Sequence, residues 1–184
     1  LVLIHYAPVA GIRGLWIGPY ISDNFYSASN LAFATTAMSL AMITGTFAYG
    51  PMDRIFGTRK WIIFIGSSVS LVSLICLALF NEISFKMAVF LFCTLGFFGM
   101  SYPLMIAHGR SFSPENLTGR CVTLLNMFAI GGVGIFQFLT GRIFSKLTEG
   151  HNNNHEAYTI IFLFYASALF LGLILYLKSK DRLD

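Results

Sequence analysis

The sequence predicts an all-α membrane protein with six transmembrane helices, and both its composition and its hydropathy pattern support that prediction. Of its 184 residues, 56% are hydrophobic and only 11% are charged, whereas soluble domains carry about 25% charged residues. Six apolar runs follow one another, and each approaches the roughly 20 residues that a membrane helix needs. A buried helix of a soluble protein can imitate one such run, but not six in succession. The runs cover residues 1–20, 28–49, 61–80, 87–107, 121–141 and 157–177.

The first and fourth runs differ from the others because glycine and proline interrupt them. The interruptions are Gly11, Gly14, Gly18 and Pro19 in the first run, and Gly96, Gly99 and Pro103 in the fourth. A membrane tolerates an interrupted helix only where neighbouring side chains or a cavity satisfy the freed backbone groups, so we expect bends in both spans. Proline lacks an N–H donor, and we therefore expect Pro51 to end the second helix.

Basic residues between the runs orient the bundle. The turns after the second and fourth runs and the tail after the sixth lie on one side of the membrane, and the other three turns lie opposite. The first side carries eight Lys and Arg residues, and the second carries three. Because cytoplasmic loops are enriched in Lys and Arg, we expect the first side, with both ends of the chain, to face the cytoplasm. The eight residues are Arg54, Arg59, Lys60, Arg110, Arg120, Lys178, Lys180 and Arg182.

The start of the chain predicts a fragment of a longer protein. Leu1 already lies within an apolar run, no basic leader precedes that run, and no small-residue cleavage site follows it. These features are not those of a signal peptide. We therefore interpret residues 1–184 as one six-helix bundle that belongs to a longer chain.

Composition and residue spacing argue against several other classes of protein. The basic residues lie in membrane loops, where topology explains them, so nucleic acid is not an expected partner. Cys76, Cys93 and Cys121 lie in separate runs without CxxC spacing and are expected to be buried apolar side chains. His151 and His155 lie in an Asn-rich segment that forms helix poorly, so no metal site is expected. No catalytic motif or ATP-binding loop is present, and neither an enzyme nor a cofactor is predicted.

Helical periodicity places a cation and several aromatic or polar side chains on one face of the first run. At 100° per residue, these side chains fall within about 80° of one another; they are His5, Val9, Arg13, Trp16 and Tyr20. A charged side chain at the bilayer centre costs roughly 2.5–3.5 kcal/mol and usually faces the protein interior. We therefore predict that Arg13, Trp16 and Tyr20 contact a substrate. The alternative is that Arg13 reaches the membrane interface or pairs with a group outside this chain.

Similar polar faces follow the second and fifth runs. Thr35 and Ser39 share a face of the second run, and Asn126 and Gln137 are the strongest hydrogen-bonding groups on one face of the fifth. We predict these four residues as further substrate-binding positions. The alternative is interhelical packing, for which membrane proteins also use small and polar side chains. The sixth run is the least polar, which predicts a peripheral position against lipid.

The turn between the second and third runs resembles a known family signature. Its glycines, acid and basic residues are Gly50, Asp53, Arg54, Gly57, Arg59 and Lys60. In type and order they are similar to the residues that follow the second helix of each half in the major facilitator superfamily. Residues 14–20, Gly-Leu-Trp-Ile-Gly-Pro-Tyr, also resemble the start of the second half in many bacterial members. The resemblance implies that the chain is the carboxy-terminal six-helix half of a twelve-helix major facilitator fold.

The resemblance also implies that this turn is a conformational latch. In the family, the equivalent Asp links neighbouring helices in one conformation and releases them in the other. The helix beginning near Thr118 is the expected partner of Asp53, and Gly50 and Gly57 are expected to permit close backbone approach. Such a contact biases a two-state equilibrium by roughly 1–3 kcal/mol. The alternative is plain topology, because any cytoplasmic loop collects Lys and Arg.

The function that the resemblance implies is secondary active transport. The expected protein is a permease of the bacterial inner membrane, which moves a small organic solute by alternating access between two halves. Proton coupling is left open, because no Asp or Glu lies within a run. His5 and His108 have suitable unperturbed pKa values and are the candidates for coupling; the alternative is that each is an interfacial histidine. The expected partners are a small-molecule substrate, the lipid bilayer, and the amino-terminal six-helix half or a second copy of this chain. The alternative is a non-transporting membrane sensor or assembly subunit on the same scaffold.

Overall fold

The computed structural model describes residues 1–80, 83–149 and 154–183, and helices are the only regular secondary structure in these ranges. Short segments begin the chain: α1 (Val2–His5), α2 (Ala7–Gly11), a π-helical turn (Ile12–Trp16) and α3 (Ile17–Phe25). Longer helices follow, with a 3₁₀ turn (Glu115–Leu117) before the fifth of them. They are α4 (Ala28–Phe56), α5 (Lys60–Leu79), α6 (Phe85–Gly99), α7 (Tyr102–Arg110), α8 (Thr118–Thr148) and α9 (His155–Leu177).

Five helical stretches in the described ranges are long and apolar enough to span a membrane. They are Ala28–Phe56, Lys60–Leu79, Phe85–Arg110, Glu115–Thr148 and His155–Leu177. These stretches coincide with the second to sixth predicted runs and confirm an all-helical membrane protein. The predicted first span is not among them, because residues 2–25 form four short segments instead of one long helix. Pro8 near the start of α2 cannot donate a hydrogen bond to the preceding turn, which accounts for the break at Tyr6.

Helix α4, which corresponds to the second predicted run, continues past Pro51, and the prediction that Pro51 ends this helix was wrong. It runs to Phe56 and ends at Gly57, whose φ of 63° is left-handed and whose N–H donates to the carbonyl oxygen of Asp53 at 2.9 Å. Pro51 removes only the hydrogen bond to the carbonyl of Phe47, a loss that membrane helices tolerate. A left-handed glycine is the stronger stop, because it satisfies carbonyl groups of the last turn.

The expected break in the fourth run is present. Helix α6 ends at Gly99 and α7 begins at Tyr102, with Pro103 in its first turn, where a missing N–H costs little. A methyl group added to Gly99 would overlap the side chain of Val9 in α2. The break therefore lies in direct contact with the segmented first part of the chain.

Helix packing separates a well-buried side of the bundle from a poorly buried one. Helix α5 packs between α6 and α9, and α4 packs along α6. The first segments contact α4 through α3 and contact α8 through α1 and α2. In the most apolar 18 residues of α4 and of the span containing α8, only 17% are buried, against 50% in α5. Helices α4 and α8 therefore present the largest faces for contacts outside this bundle.

Candidate functional site

Arg13 lies in the π-helical turn and reaches helix α4. Its Nε donates to Ser39 Oγ at 2.7 Å, and Ser39 Oγ donates to the carbonyl oxygen of Thr35 at 2.7 Å. Thr35 Oγ1 donates to the carbonyl oxygen of Leu31 at 2.9 Å. When a single π-helical turn interrupts an α-helix, it is frequently at a functional site. The structure thus joins three of the predicted binding residues, all half-buried, in one series of hydrogen bonds.

A second polar group joins α7 to α8. The Tyr102 hydroxyl donates to the amide oxygen of Asn126, and the Tyr102 ring stacks on Tyr6 with 4.9 Å between ring centres. Asn126 was predicted as a site residue, whereas the two tyrosines were missed because an aromatic residue in a membrane span is unremarkable. Helical register gives no signal for Tyr6, because the helix is broken at Tyr6 and Arg13 lies in the π-helical turn.

Gln137 on α8 lies beside the π-helical turn. A Cβ atom added to Gly14 would be 3.5 Å from the amide nitrogen of Gln137. Gln137 is half-buried and Gly14 is exposed. The first segments are therefore flanked by polar groups of α4 on one side and of α8 on the other. We refer to Arg13, Thr35, Ser39, Asn126 and Gln137 as the polar surface.

Trp16 and Tyr20, predicted as substrate contacts, lie in the core of the bundle. Each is only 4% exposed. Trp16 Nε1 donates to Thr140 Oγ1 at 3.1 Å, and Tyr20 packs edge-on against Tyr158 with 5.3 Å between ring centres. His5 and Val9, which share their predicted face, are buried as well. Arg13 alone leaves that face, because it lies within the π-helical turn, which takes more residues per turn than an α-helix. Trp16 and Tyr20 therefore pack in the core behind the polar surface and do not belong to it.

The buried side chain of His5 connects three parts of the bundle. It is 2% exposed, and its Nδ1 and Nε2 lie 3.0 Å from the hydroxyl oxygens of Ser67 and Ser101, respectively. Ser67 also donates to the carbonyl oxygen of Ile63 at 2.7 Å. His5 thereby connects α1 to α5 and to the break before α7.

The charged turn after α4 contains an internal ion pair. Arg59 Nε lies 3.0 Å from Asp53 Oδ2, and both side chains are largely buried. Gly57 provides the left-handed residue that ends α4. Gly50 lies inside α4. Nothing lies within 4 Å of a Cβ atom added to Gly50 or to Gly57, so the close backbone approach expected at these two glycines is not found in the described part of the chain. A polar cavity of about 430 Å³ borders the turn and is lined by Gly50, Asp53, Arg54, Gly57, Arg59, Arg110 and Leu183.

The tail after α9 reaches this turn through Asp181. The carboxylate accepts from the Thr58 hydroxyl, from Arg59 N–H at 3.2 Å and from Lys60 N–H at 3.0 Å. Lys60 Nζ also donates to the carbonyl oxygen of Leu177 at 2.8 Å. Asp181 therefore caps the start of α5, as an acid at a helix N-terminus does. In the described part of the chain, the tail and not the start of α8 is the element hydrogen-bonded to this turn.

Sequence reasoning missed Asp181 because no local pattern marks it. Its backbone partner Arg59 lies 122 residues earlier in the chain. Partial burial raises the pKa of the Asp181 carboxyl, but the hydrogen bonds from Thr58, Lys60 and Arg59 outweigh that effect, and nearby His108 adds to them. The pKa of Asp181 therefore lies below its ordinary value, and the carboxylate is ionised at neutral pH.

The tail also runs along α7. His108 Nε2 lies 3.0 Å from the carbonyl oxygen of Lys180, and the Tyr176 hydroxyl lies 2.7 Å from His108 Nδ1. The Arg182 guanidinium lies 5.0 Å from the centre of the Phe112 ring. The charged turn, the end of α7 and the tail, which charge counting grouped on one side of the membrane, thus meet in space.

Asp23 marks the opposite end of the bundle. Its carboxylate accepts from Tyr158 Oη at 2.6 Å and from Asn154 Nδ2 at 2.8 Å, which joins the end of α3 to the start of α9. His151, half of the histidine pair that was considered as a metal site, lies outside the described residues.

Comparison with known proteins assigns the chain to a family. Among solved structures, the inward-open conformation of the xylose transporter XylE from E. coli is similar, with a TM-score of 0.74 and 18% identity. The match covers 98% of this chain and 46% of that one, so this chain spans about half the length of XylE, and the likeness concerns the fold alone. No curated protein matches the sequence. The sequence profile of the Major Facilitator Superfamily matches residues 3–183, and this chain therefore belongs to that superfamily.

Proposed function

We propose that this chain forms one half of a secondary transporter that moves a small organic solute across a membrane by alternating access. The observation that carries the proposal is the polar surface. Its five hydrogen-bonding side chains lie on the first segments, on α4 and on α8. Helices α4 and α8 have the least buried faces in the bundle. Half-buried polar groups in a membrane protein are costly unless they face a partner or a water-filled cavity.

In this proposal, residues 1–184 are a six-span bundle whose first span consists of the four segments between Val2 and Phe25. Broken helices at membrane depth are tolerated where they line a cavity, and transporters build their binding sites from such helices. The polar surface then faces the amino-terminal half of the same chain, or a second copy. The solute binds between the two halves and contacts Arg13, Thr35, Ser39, Asn126 and Gln137.

The charged turn has the role of a latch in this scheme. The Asp53–Arg59 ion pair and the Asp181 cap hold α4, α5 and the tail together. We propose that they stabilise one of the two conformations and weaken in the other. These contacts then shift the equilibrium between the two conformations by roughly 1–3 kcal/mol.

The proposed location is the bacterial inner membrane, with both ends of this segment in the cytoplasm. The excess of Lys and Arg on the side of the charged turn supports that orientation. Proton coupling remains part of the proposal. Both ring nitrogens of His5 are engaged by serine hydroxyls, so the coupling carboxylate is expected in the partner half.

Reconstitution of the native protein into liposomes tests the proposal. We expect solute-dependent flux that saturates, with counterflow of labelled solute when unlabelled solute is present inside. A pH gradient that accelerates flux would establish proton coupling, whereas equal rates with and without the gradient would remove coupling and leave transport intact. Binding of a solute without any flux would contradict transport and favour a sensor.

A further inference from the structure

Arg13 is a cation within the membrane-spanning part of the bundle whose outer nitrogens have no partner in the described ranges. Its Nε is used by Ser39, and neither Nη atom makes a hydrogen bond or ion pair there. Arginine remains charged in proteins, and an isolated charge at membrane depth costs several kcal/mol. The free edge of the guanidinium therefore requires an anion or water in the folded protein.

No acidic side chain of the described residues supplies that anion. Asp23 accepts hydrogen bonds from Tyr158 and Asn154 at one end of the bundle. Asp53 is paired with Arg59 at the other end, beside the Asp181 cap. The remaining described acids lie in loops or at helix ends; they are Glu115, Glu149 and Glu156.

Two other residues of the polar surface, Asn126 and Gln137, have NH₂ donors that are unused among the described residues. Ser39 Oγ donates its proton to the carbonyl oxygen of Thr35 and accepts from Arg13 Nε, so it has no proton left for a solute. Asn126 uses its amide oxygen for Tyr102, which leaves its NH₂ group. Gln137 turns its amide nitrogen towards Gly14, next to Arg13. An anion at the free edge of Arg13 accepts from the guanidinium and from the nearby Gln137 NH₂ group, and a charge-assisted hydrogen bond is roughly twice as strong as a neutral one.

We infer that the solute is a small organic anion, with a carboxylate or phosphate group that binds the free edge of Arg13. The inference rests on the proposed transport function and adds the charge class of the solute. The Arg13–Ser39 hydrogen bond fixes the orientation of the guanidinium, so that its two Nη groups form a fork that suits the paired oxygens of a carboxylate or phosphate. A neutral solute of the same shape leaves the cation uncompensated and binds more weakly.

Thermal stabilisation of the purified native protein by solutes matched in skeleton and different in charge tests the inference. The probes are gluconate, glucose and glucosamine, then lactate and lactamide, then glycerol 3-phosphate and glycerol. We expect at least one anion to raise the melting temperature while its neutral or cationic analogue does not. Arg13→Gln should weaken the binding of that anion at least tenfold, and Arg13→Lys should weaken its binding less. Arg142→Gln, an exposed position at the far end of α8, is the matched control and should bind normally.

The outcomes separate this inference from the proposed function. If neutral or cationic probes bind as well as anions, or if Arg13→Gln keeps full affinity for the anion, the inference is overturned and transport stands. If Arg13→Gln lowers stability without changing the preferred charge class, Arg13 pairs with an acid of the partner half, and the inference is again overturned. If no probe of any charge binds or crosses liposome membranes, the transport proposal itself fails, and the inference fails with it.

Discussion

At the scale of single residues, Asp181 is the side chain that ties the tail to the charged turn. Because its folded-state pKa is lowered, its contribution is fully present above the unfolded pKa of about 3.9 and is lost as pH falls through the folded value. We expect Asp181→Asn to speed amide exchange at Arg59 and Lys60 about three- to fivefold at pH 7. That corresponds to roughly 1 kcal/mol or less, since the carboxylate is largely exposed to solvent.

Asp23→Asn is the matched control, because Asp23 lies at the opposite end of the bundle. It should leave exchange at Arg59 and Lys60 unchanged. In the wild-type protein, lowering the pH through the folded pKa of Asp181 should reduce the protection of these two amides, relative to their intrinsic exchange rates at each pH, as Asp181→Asn does. Protection factors that stay constant across that titration would rule out a cap.

The ion pair between Asp53 and Arg59 yields a second prediction at this scale. Asp53→Asn and Arg59→Gln should each reduce transport roughly fivefold or more while expression and membrane insertion stay normal. Because the two residues act as a pair, the double variant should lose little more than either single variant. Uptake kinetics of the three variants in liposomes measure this, and wild-type kinetics in Asp53→Asn would exclude the latch.

At the scale of secondary-structure elements, the end of α4 depends on one glycine. Gly57 has a φ of 63°, and a side chain in this left-handed region costs roughly 1–2 kcal/mol. Gly57→Ala should therefore lower the melting temperature of the purified protein. Gly50→Ala is the control within the same helix, since an added Cβ there meets nothing within 4 Å. It should be neutral or stabilising by up to about 1 kcal/mol, because alanine favours helix.

The contact between α1 and α8 depends on a second glycine. A methyl group at Gly132 would overlap the carbonyl oxygen of Leu3, whereas one at the adjacent Gly131 meets nothing within 4 Å. Gly132→Ala should destabilise the protein by roughly 1–3 kcal/mol, because the two backbones must separate. Gly131→Ala should not. Equal stability of the two variants, measured by reversible unfolding in mixed detergent, would contradict this packing.

At the scale of the whole molecule, the proposed function assigns one surface of the bundle to lipid and another to the transport pathway. Gly134 is exposed on α8 on the same side as Asn126 and Gln137, and Val72 is 59% exposed on the apolar α5. After removal of the native cysteines, Gly134→Cys should react with a water-soluble maleimide in intact membranes. Val72→Cys should react at least tenfold more slowly, because thiolate formation needs water. Equal labelling would contradict the two-surface arrangement.

The sequence predicts the helices far better than the faces that those helices present. Five spans and the break between Gly99 and Tyr102 follow from hydropathy and from the positions of Gly and Pro. The face of the first run was predicted with an uninterrupted register, and the π-helical turn separates Arg13 from Trp16 and Tyr20, which lie in the core. A π-helical turn has no reliable sequence signal, because its cost is met by tertiary contacts.

The sequence by itself determined that this protein is a helical membrane bundle, which of its loops lie at the same end of that bundle, and that it resembles the major facilitator superfamily. Those properties follow from apolar length, charge distribution and the order of residues in one turn, all of which are local in the chain. Only the tertiary structure decided that Asp181 caps α5, that His5 ties three elements together, and that Arg13 bonds to Ser39. Each of these contacts joins residues far apart in sequence, and helix packing alone determines which of them meet.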